Sequence, residues 1–116
     1  MANGASTNYI IMADGVSVSA TGVVGVAQHS LEAHADEIGI IVQIDSGTVS
    51  ALTLNLQHKV GGTWTNVAGA QTTATSGGAV AFATTPIAGQ IRINAATVTT
   101  PSSLVVTVKL CYGKKK

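Results

Sequence analysis

The residue types that could hold a metal ion are concentrated in one short segment. His29, Glu32, His34 and Asp36 lie close together in the chain, and imidazole with carboxylate ligands would suit zinc or manganese. In an extended chain Glu32, His34 and Asp36 would share one face. No HExxH motif, cysteine pair or other fixed ligand spacing accompanies them. We therefore interpret the segment as a polar connector, and we expect no metal and no cofactor.

Residues that could act as nucleophiles are present, but not in catalytic patterns. None of the many serines lies in a Gly-x-Ser-x-Gly motif. Cys111 falls in the last predicted strand, where a small buried or half-buried residue is usual. Gly61-Gly62 and Ser76–Gly78 are typical of turns, because neither precedes a helix with the Lys-Ser/Thr of a phosphate loop. We therefore predict that the protein is not an enzyme.

One aromatic residue and one basic run could bind a ligand. Trp64 could stack on a sugar ring, which makes a carbohydrate-binding module one alternative function. Its position directly after the Gly61-Gly62 hairpin favours the core instead, and we predict that Trp64 is buried. Lys114–Lys116 are expected to form a solvated tail. The six Lys and Arg residues are nearly cancelled by five Asp and Glu residues, so no direct binding of nucleic acid is expected.

The composition predicts the kind of element that positions these residues. Of the 116 residues, 46% are hydrophobic and 9% are charged, whereas ordinary soluble domains carry about 25% charged residues. The chain has 14 Val and 15 Thr, which favour strands, and 13 Gly, which favours turns. With a formal net charge of +1, a free monomer has little charge repulsion. We therefore expect a homo-oligomer, with a trimer favoured.

Alternation of apolar and polar residues predicts seven to nine short strands and no convincing helix. We expect a single antiparallel β-sandwich, either jelly-roll or immunoglobulin-like, with an extended N-terminal arm. Its core is predicted from the inward positions of the strands: Ile38, Ile40, Val42, Leu52, Leu54, Leu56, Ile91, Ile93 and alternate residues from Leu104 to Leu110.

The pattern divides the chain into three parts. Residues 1–35 are predicted to form the arm and the first short strands, residues 36–112 the sandwich body, and residues 113–116 a basic solvated tail. The strand signals strengthen from Glu37, and the basic tail begins at Gly113.

Four apolar residues of the arm are the predicted assembly contacts. Tyr9, Ile10, Ile11 and Met12 are too apolar to be left in water, yet too few to form a core. We predict that they contact a neighbouring subunit; a first strand that pairs within its own sandwich is the alternative. The run is too short for a membrane or signal segment, so no membrane contact is expected.

Three segments resemble the β-sandwich modules of tailed-phage structural proteins. These are Leu52–Val67, Gly89–Asn94 and Leu104–Leu110, which combine an alternating strand, a glycine turn followed by Trp64, and an Ile-Arg-Ile strand. Small decoration, or cement, proteins of phage capsids are similar in size, low charge and scarcity of cysteine. The resemblance implies a non-enzymatic virion protein, made in the host cytoplasm. Such a protein binds the major capsid protein on the outer surface of the head and stabilises contacts between capsomers.

Two other functions fit the same sequence. One is a filament or pilus-like subunit that assembles by donating a strand from its N-terminal arm. The other is the carbohydrate-binding module based on Trp64. Symmetry separates the filament from the capsid protein, because a closed trimer and an open helical array look different under the microscope.

Overall fold

The computed structural model describes residues 8–31, 37–73, 75, 77–83 and 89–113. All regular structure in these residues is β-strand, which confirms the all-β prediction. None of them belongs to a helix that could span a membrane. The strands are β1 (Asn8–Ser17), β2 (Gly22–Ser30), β3 (Glu37–Thr48), β4 (Ala51–Val60), β5 (Thr63–Thr73), β6 (Gly78–Ala83), β7 (Gln90–Thr99) and β8 (Ser102–Gly113).

The eight described strands form two four-stranded sheets. Sheet 1 has the strand order β1-β8-β3-β6 and sheet 2 has the order β2-β7-β4-β5. Neighbouring strands in both sheets are antiparallel. The chain crosses between the sheets in the order of a jelly roll, the double-sheet arrangement of two Greek keys. The topology thus decides between the two architectures that the sequence left open.

The core lies between the two sheets and is built from every second residue of the strands. The period of two places these residues on the inner face of each strand. All twelve predicted core residues are at most 2% exposed. They are Ile38, Ile40, Val42, Leu52, Leu54, Leu56, Ile91, Ile93, Leu104, Val106, Val108 and Leu110. Met12, Val24 and Val67 add core residues from β1, β2 and β5.

The first two strands lie at the edges of their sheets and contact each other at one side of the sandwich. Gly25 of β2 has a φ of 75°, and a Cβ atom there would overlap the carbonyl oxygen of Met12 on β1. Only glycine allows the two backbones to come this close. The approach coincides with a break in the pairing of β2 with β7, between Val24 and His29.

The segment predicted as an arm forms β1 from Asn8 onward. This strand pairs with β8 of the same chain, from Asn8 opposite Tyr112 to Ser17 opposite Val105. Residues 1–7 and 114–116, which include most of the predicted tail, lie outside the described residues.

Candidate functional site

The four predicted assembly contacts alternate between the two sides of β1. Met12 is fully buried and Ile10 packs against the core, so both face into the sandwich of their own chain. Tyr9 and Ile11 face outward and are 66% and 54% exposed. Because only the outward pair is accessible to a partner, we narrow the predicted contact to Tyr9 and Ile11.

Strand pairing extends these two residues into a surface across three strands. Tyr9 pairs with Cys111 and Ile11 pairs with Lys109, both on β8. Lys109 pairs in turn with Ile41 on β3. Directly opposite residues of antiparallel strands project to the same side of a sheet. Tyr9, Ile11, Ile41 and Cys111 therefore form one patch around Lys109 on the outer face of sheet 1, which we call the apolar surface.

Exposed large apolar residues are concentrated near this surface. Tyr9 and Ile11 lie on β1, and Val26, which is 38% exposed, lies on the adjoining β2. An open groove between the two strands has Ile11 and Val26 in its lining. Single exposed apolar residues are ordinary, but a group on two contacting strands is typical of an interaction surface.

Polar groups on sheet 1 are connected by two hydrogen bonds that share one hydroxyl. The hydroxyl of Thr107 on β8 accepts a hydrogen bond from the backbone N–H of Gly15 on β1, with a distance of 3.1 Å. The same hydroxyl donates to a carboxylate oxygen of Asp45 on β3, at 2.6 Å. Gly15 lies where β1 shifts its register between Ala13 and Val16. These two hydrogen bonds therefore connect the irregular part of β1 to β8 and β3, the other strands that carry the apolar surface.

The candidate metal ligands are only partly within the described residues. His29 is half-buried on β2, whereas Glu32, His34 and Asp36 lie outside the described residues. In the part of the chain that the structure describes, no three His, Cys, Asp or Glu side chains are grouped to hold a metal ion. The expectation of no metal stays a prediction. Cys111 is free and half-buried, in agreement with the sequence analysis.

The prediction that Trp64 lies in the core is wrong. Trp64 is half-buried on the outer face of sheet 2, because it pairs with Lys59 of β4. Lys59 is an odd number of residues from Leu54 and Leu56, so it projects to the side opposite these core residues. Val67 instead contributes the first buried side chain of β5.

Trp64 is part of a set of contacting polar residues on that outer face. The guanidinium carbon of Arg92 lies 4.3 Å from the centre of the indole ring, and Nζ of Lys59 lies 5.8 Å from it. Nε of Arg92 donates to Oε1 of Gln57 at 2.8 Å. Nε2 of Gln57 donates in turn to Oδ1 of Asn66 at 3.0 Å. We call Gln57, Lys59, Trp64, Asn66 and Arg92 the polar cluster.

The sequence analysis missed the polar cluster, although one signal for it was present. Arg92 alternates with the buried Ile91 and Ile93, which places it on the outer face of its strand. That alternation does not reveal which strands are neighbours. The register of β7 with β4, where Gln57 is opposite Arg92, brings the cluster together.

No protein-family model matches the chain, and a comparison with curated proteins finds no match. A functional assignment therefore depends on the two outer faces of the sandwich.

Proposed function

We propose that the protein is a non-enzymatic virion structural protein that decorates a phage capsid. It binds the major capsid protein on the outer surface of the head and stabilises contacts between capsomers as a homotrimer. The apolar surface around Tyr9 and Ile11 is the observation that supports assembly. Jelly rolls are common among viral capsid domains, an analogy of fold that agrees with this function without identifying it.

The low charge of the chain favours assembly over a free monomer. Only 9% of its residues are charged and its formal net charge is +1, so little electrostatic repulsion opposes contact between copies. A decoration protein acts by adding many weak contacts across neighbouring shell subunits. Apolar and backbone groups supply such contacts, and no catalytic group is needed.

Closure of the ring helps to offset the cost of assembling a trimer through a small interface. Tyr9 and Ile11 are each more than half exposed, so burying them contributes about 1 to 2 kcal/mol apiece. Each association step costs about 4 kcal/mol or more in lost freedom of motion. A ring of three copies gains three interfaces for two association steps, so its closure adds one interface without a further association cost.

Mutation of Ile11 tests whether the apolar surface mediates assembly. The wild type should have a mass near three times the 11.6 kDa of the chain, measured by light scattering after size-exclusion chromatography. Ile11→Asp should give a monomer, because each closed interface would bury an unpaired carboxylate. Val60→Asp is the matched control, because Val60 is also 54% exposed but lies at the end of β4 in sheet 2. A monomeric wild type, or a trimeric Ile11→Asp variant, would overturn the proposal.

Capsid binding and symmetry are tested on the same proteins. The wild type and Val60→Asp should sediment with undecorated heads of the phage that encodes the chain, and Ile11→Asp should stay in the supernatant. Negative-stain microscopy should show discrete particles. Filaments in that experiment would contradict the closed trimer and favour the strand-donating subunit.

A further inference from the structure

The outer face of sheet 2 differs in charge from sheet 1. Lys59 and Arg92 are the described full charges of sheet 2, on β4 and β7. The described carboxylates, Asp14, Glu37 and Asp45, all lie on β1 and β3 of sheet 1. We infer that the polar cluster is a binding site for an acidic polysaccharide, whose carboxylates contact Arg92 and Lys59. This inference is independent of the proposed function.

Arg92 is held in a fixed position by two contacts. Its guanidinium lies against the indole of Trp64, and its Nε donates to Gln57, which is itself bonded to Asn66. These contacts use one N–H of the guanidinium. In the described part of the chain the two terminal nitrogens, with four N–H donors, have no hydrogen-bond acceptor. A guanidinium held in this way is preorganised for two parallel hydrogen bonds to a carboxylate.

Carboxamide side chains extend the polar cluster along the same face. Asn55 lies two residues before Gln57 on β4, and pairs with Asn94 on one side and Gln71 on the other. These three residues therefore project to the outer face, next to the polar cluster. Asn55 is buried between its neighbours, whereas Asn94 is half-buried and Gln71 is exposed. The two accessible carboxamides each offer a hydrogen-bond donor and an acceptor, which together match the two roles of a sugar hydroxyl.

The combination of groups favours a uronic acid polymer over other anions. A uronic acid residue carries a carboxylate for the cations and hydroxyls for the carboxamides. An acidic peptide supplies carboxylates, but its side chains do not supply neighbouring hydroxyls. Two cations are few for a nucleic acid, whose binding depends on neutralising many phosphates.

Fluorescence of Trp64 gives a direct measurement of binding, because the chain has one tryptophan. Titration with polygalacturonate should give a saturable change in this fluorescence, and titration with neutral dextran should give none. Arg92→Lys keeps the charge but loses the planar pair of donors, so its affinity should fall about tenfold or more. Arg92→Gln should lose still more affinity.

Gln43→Glu is the control for net charge. It changes the charge by the same unit as Arg92→Gln, but it lies exposed on β3 of sheet 1, so its affinity should be unchanged. Circular dichroism and the melting temperature verify that each variant is folded. An unchanged affinity in folded Arg92→Gln, or no response of the wild type to polygalacturonate, would overturn the inference.

Two further measurements distinguish an acidic polysaccharide from an acidic peptide, and the polar cluster from the apolar surface. Polyglutamate bound as tightly as polygalacturonate would overturn the inference and indicate an acidic peptide as the partner. The Ile11→Asp variant should still bind polygalacturonate, with the same dependence on Arg92, because Ile11 lies on sheet 1; its affinity should be lower than that of the trimeric wild type only by the gain from linked sites. Failure of trimer assembly would thus leave the polysaccharide site intact, and failure of polysaccharide binding would leave the proposed function intact.

Discussion

Single side chains on both outer faces are positioned by hydrogen bonds that join three strands. On sheet 1 the hydroxyl of Thr107 links Gly15 to Asp45. On sheet 2 the carboxamide of Gln57 links Arg92 to Asn66. The central residue of each set both accepts and donates, so its orientation is fixed from two sides. Such residues act as positioning groups for the surfaces beside them.

Replacement of Thr107 tests this role on sheet 1. Thr107→Val keeps the shape of the side chain but removes the hydroxyl that bonds Gly15 and Asp45. We expect the free energy of unfolding to fall by about 1 kcal/mol, a typical value for a partly exposed hydrogen bond. Urea denaturation measures the change. Thr97→Val is the control, since Thr97 is exposed on β7, and equal losses in the two variants would contradict the role of Thr107.

At the scale of strands, the close approach of β2 to β1 depends on Gly25. Gly25→Ala places a methyl group against the carbonyl oxygen of Met12 and the Cβ of Ala13, at a φ of 75°. Gly15→Ala is the matched control, because Gly15 has a φ of 61° but open space around its missing Cβ.

The two alanine variants separate backbone strain from steric overlap. In both variants the free energy of unfolding should fall by about 1 kcal/mol, because an alanine with positive φ is strained. Gly25→Ala should lose about 1 to 3 kcal/mol more in urea denaturation, because the added methyl group overpacks the contact between the strands. Equal losses would indicate that β2 moves away from β1 at little cost, and that the approach of the strands does not need glycine.

The strands and the core were predictable from the sequence because alternation is a local property. Leu52, Leu54 and Leu56 alternate with polar residues, and all three are buried. Strand order is not local, so the sequence left the jelly roll and the immunoglobulin-like sandwich both open and did not reveal the polar cluster. Trp64 was misplaced for this reason, since its side depends on pairing with Lys59.

The whole molecule is a slab about 20 Å thick along its shortest axis, with two unlike outer faces. The face of sheet 1 carries Tyr9 and Ile11, and the face of sheet 2 carries Trp64 and Arg92. The proposed assembly surface and the proposed polysaccharide site therefore lie on opposite faces of the sandwich. A trimer carries three copies of the polar cluster, and linked sites bind a polymer more tightly than separate sites do.

Assembly makes the stability of the whole molecule depend on its concentration. A trimer that dissociates on unfolding gains about 2.7 kcal/mol for each tenfold rise in chain concentration, or about 0.9 kcal/mol per chain. For a chain of 116 residues this corresponds to a rise in melting temperature of about 4 °C. Scanning calorimetry of the wild type and Val60→Asp at several concentrations should show this rise. Ile11→Asp should melt at one temperature at every concentration, because it unfolds as a monomer. A wild-type melting temperature that does not change with concentration would contradict assembly coupled to folding. This holds for any mass that light scattering gives for the wild type.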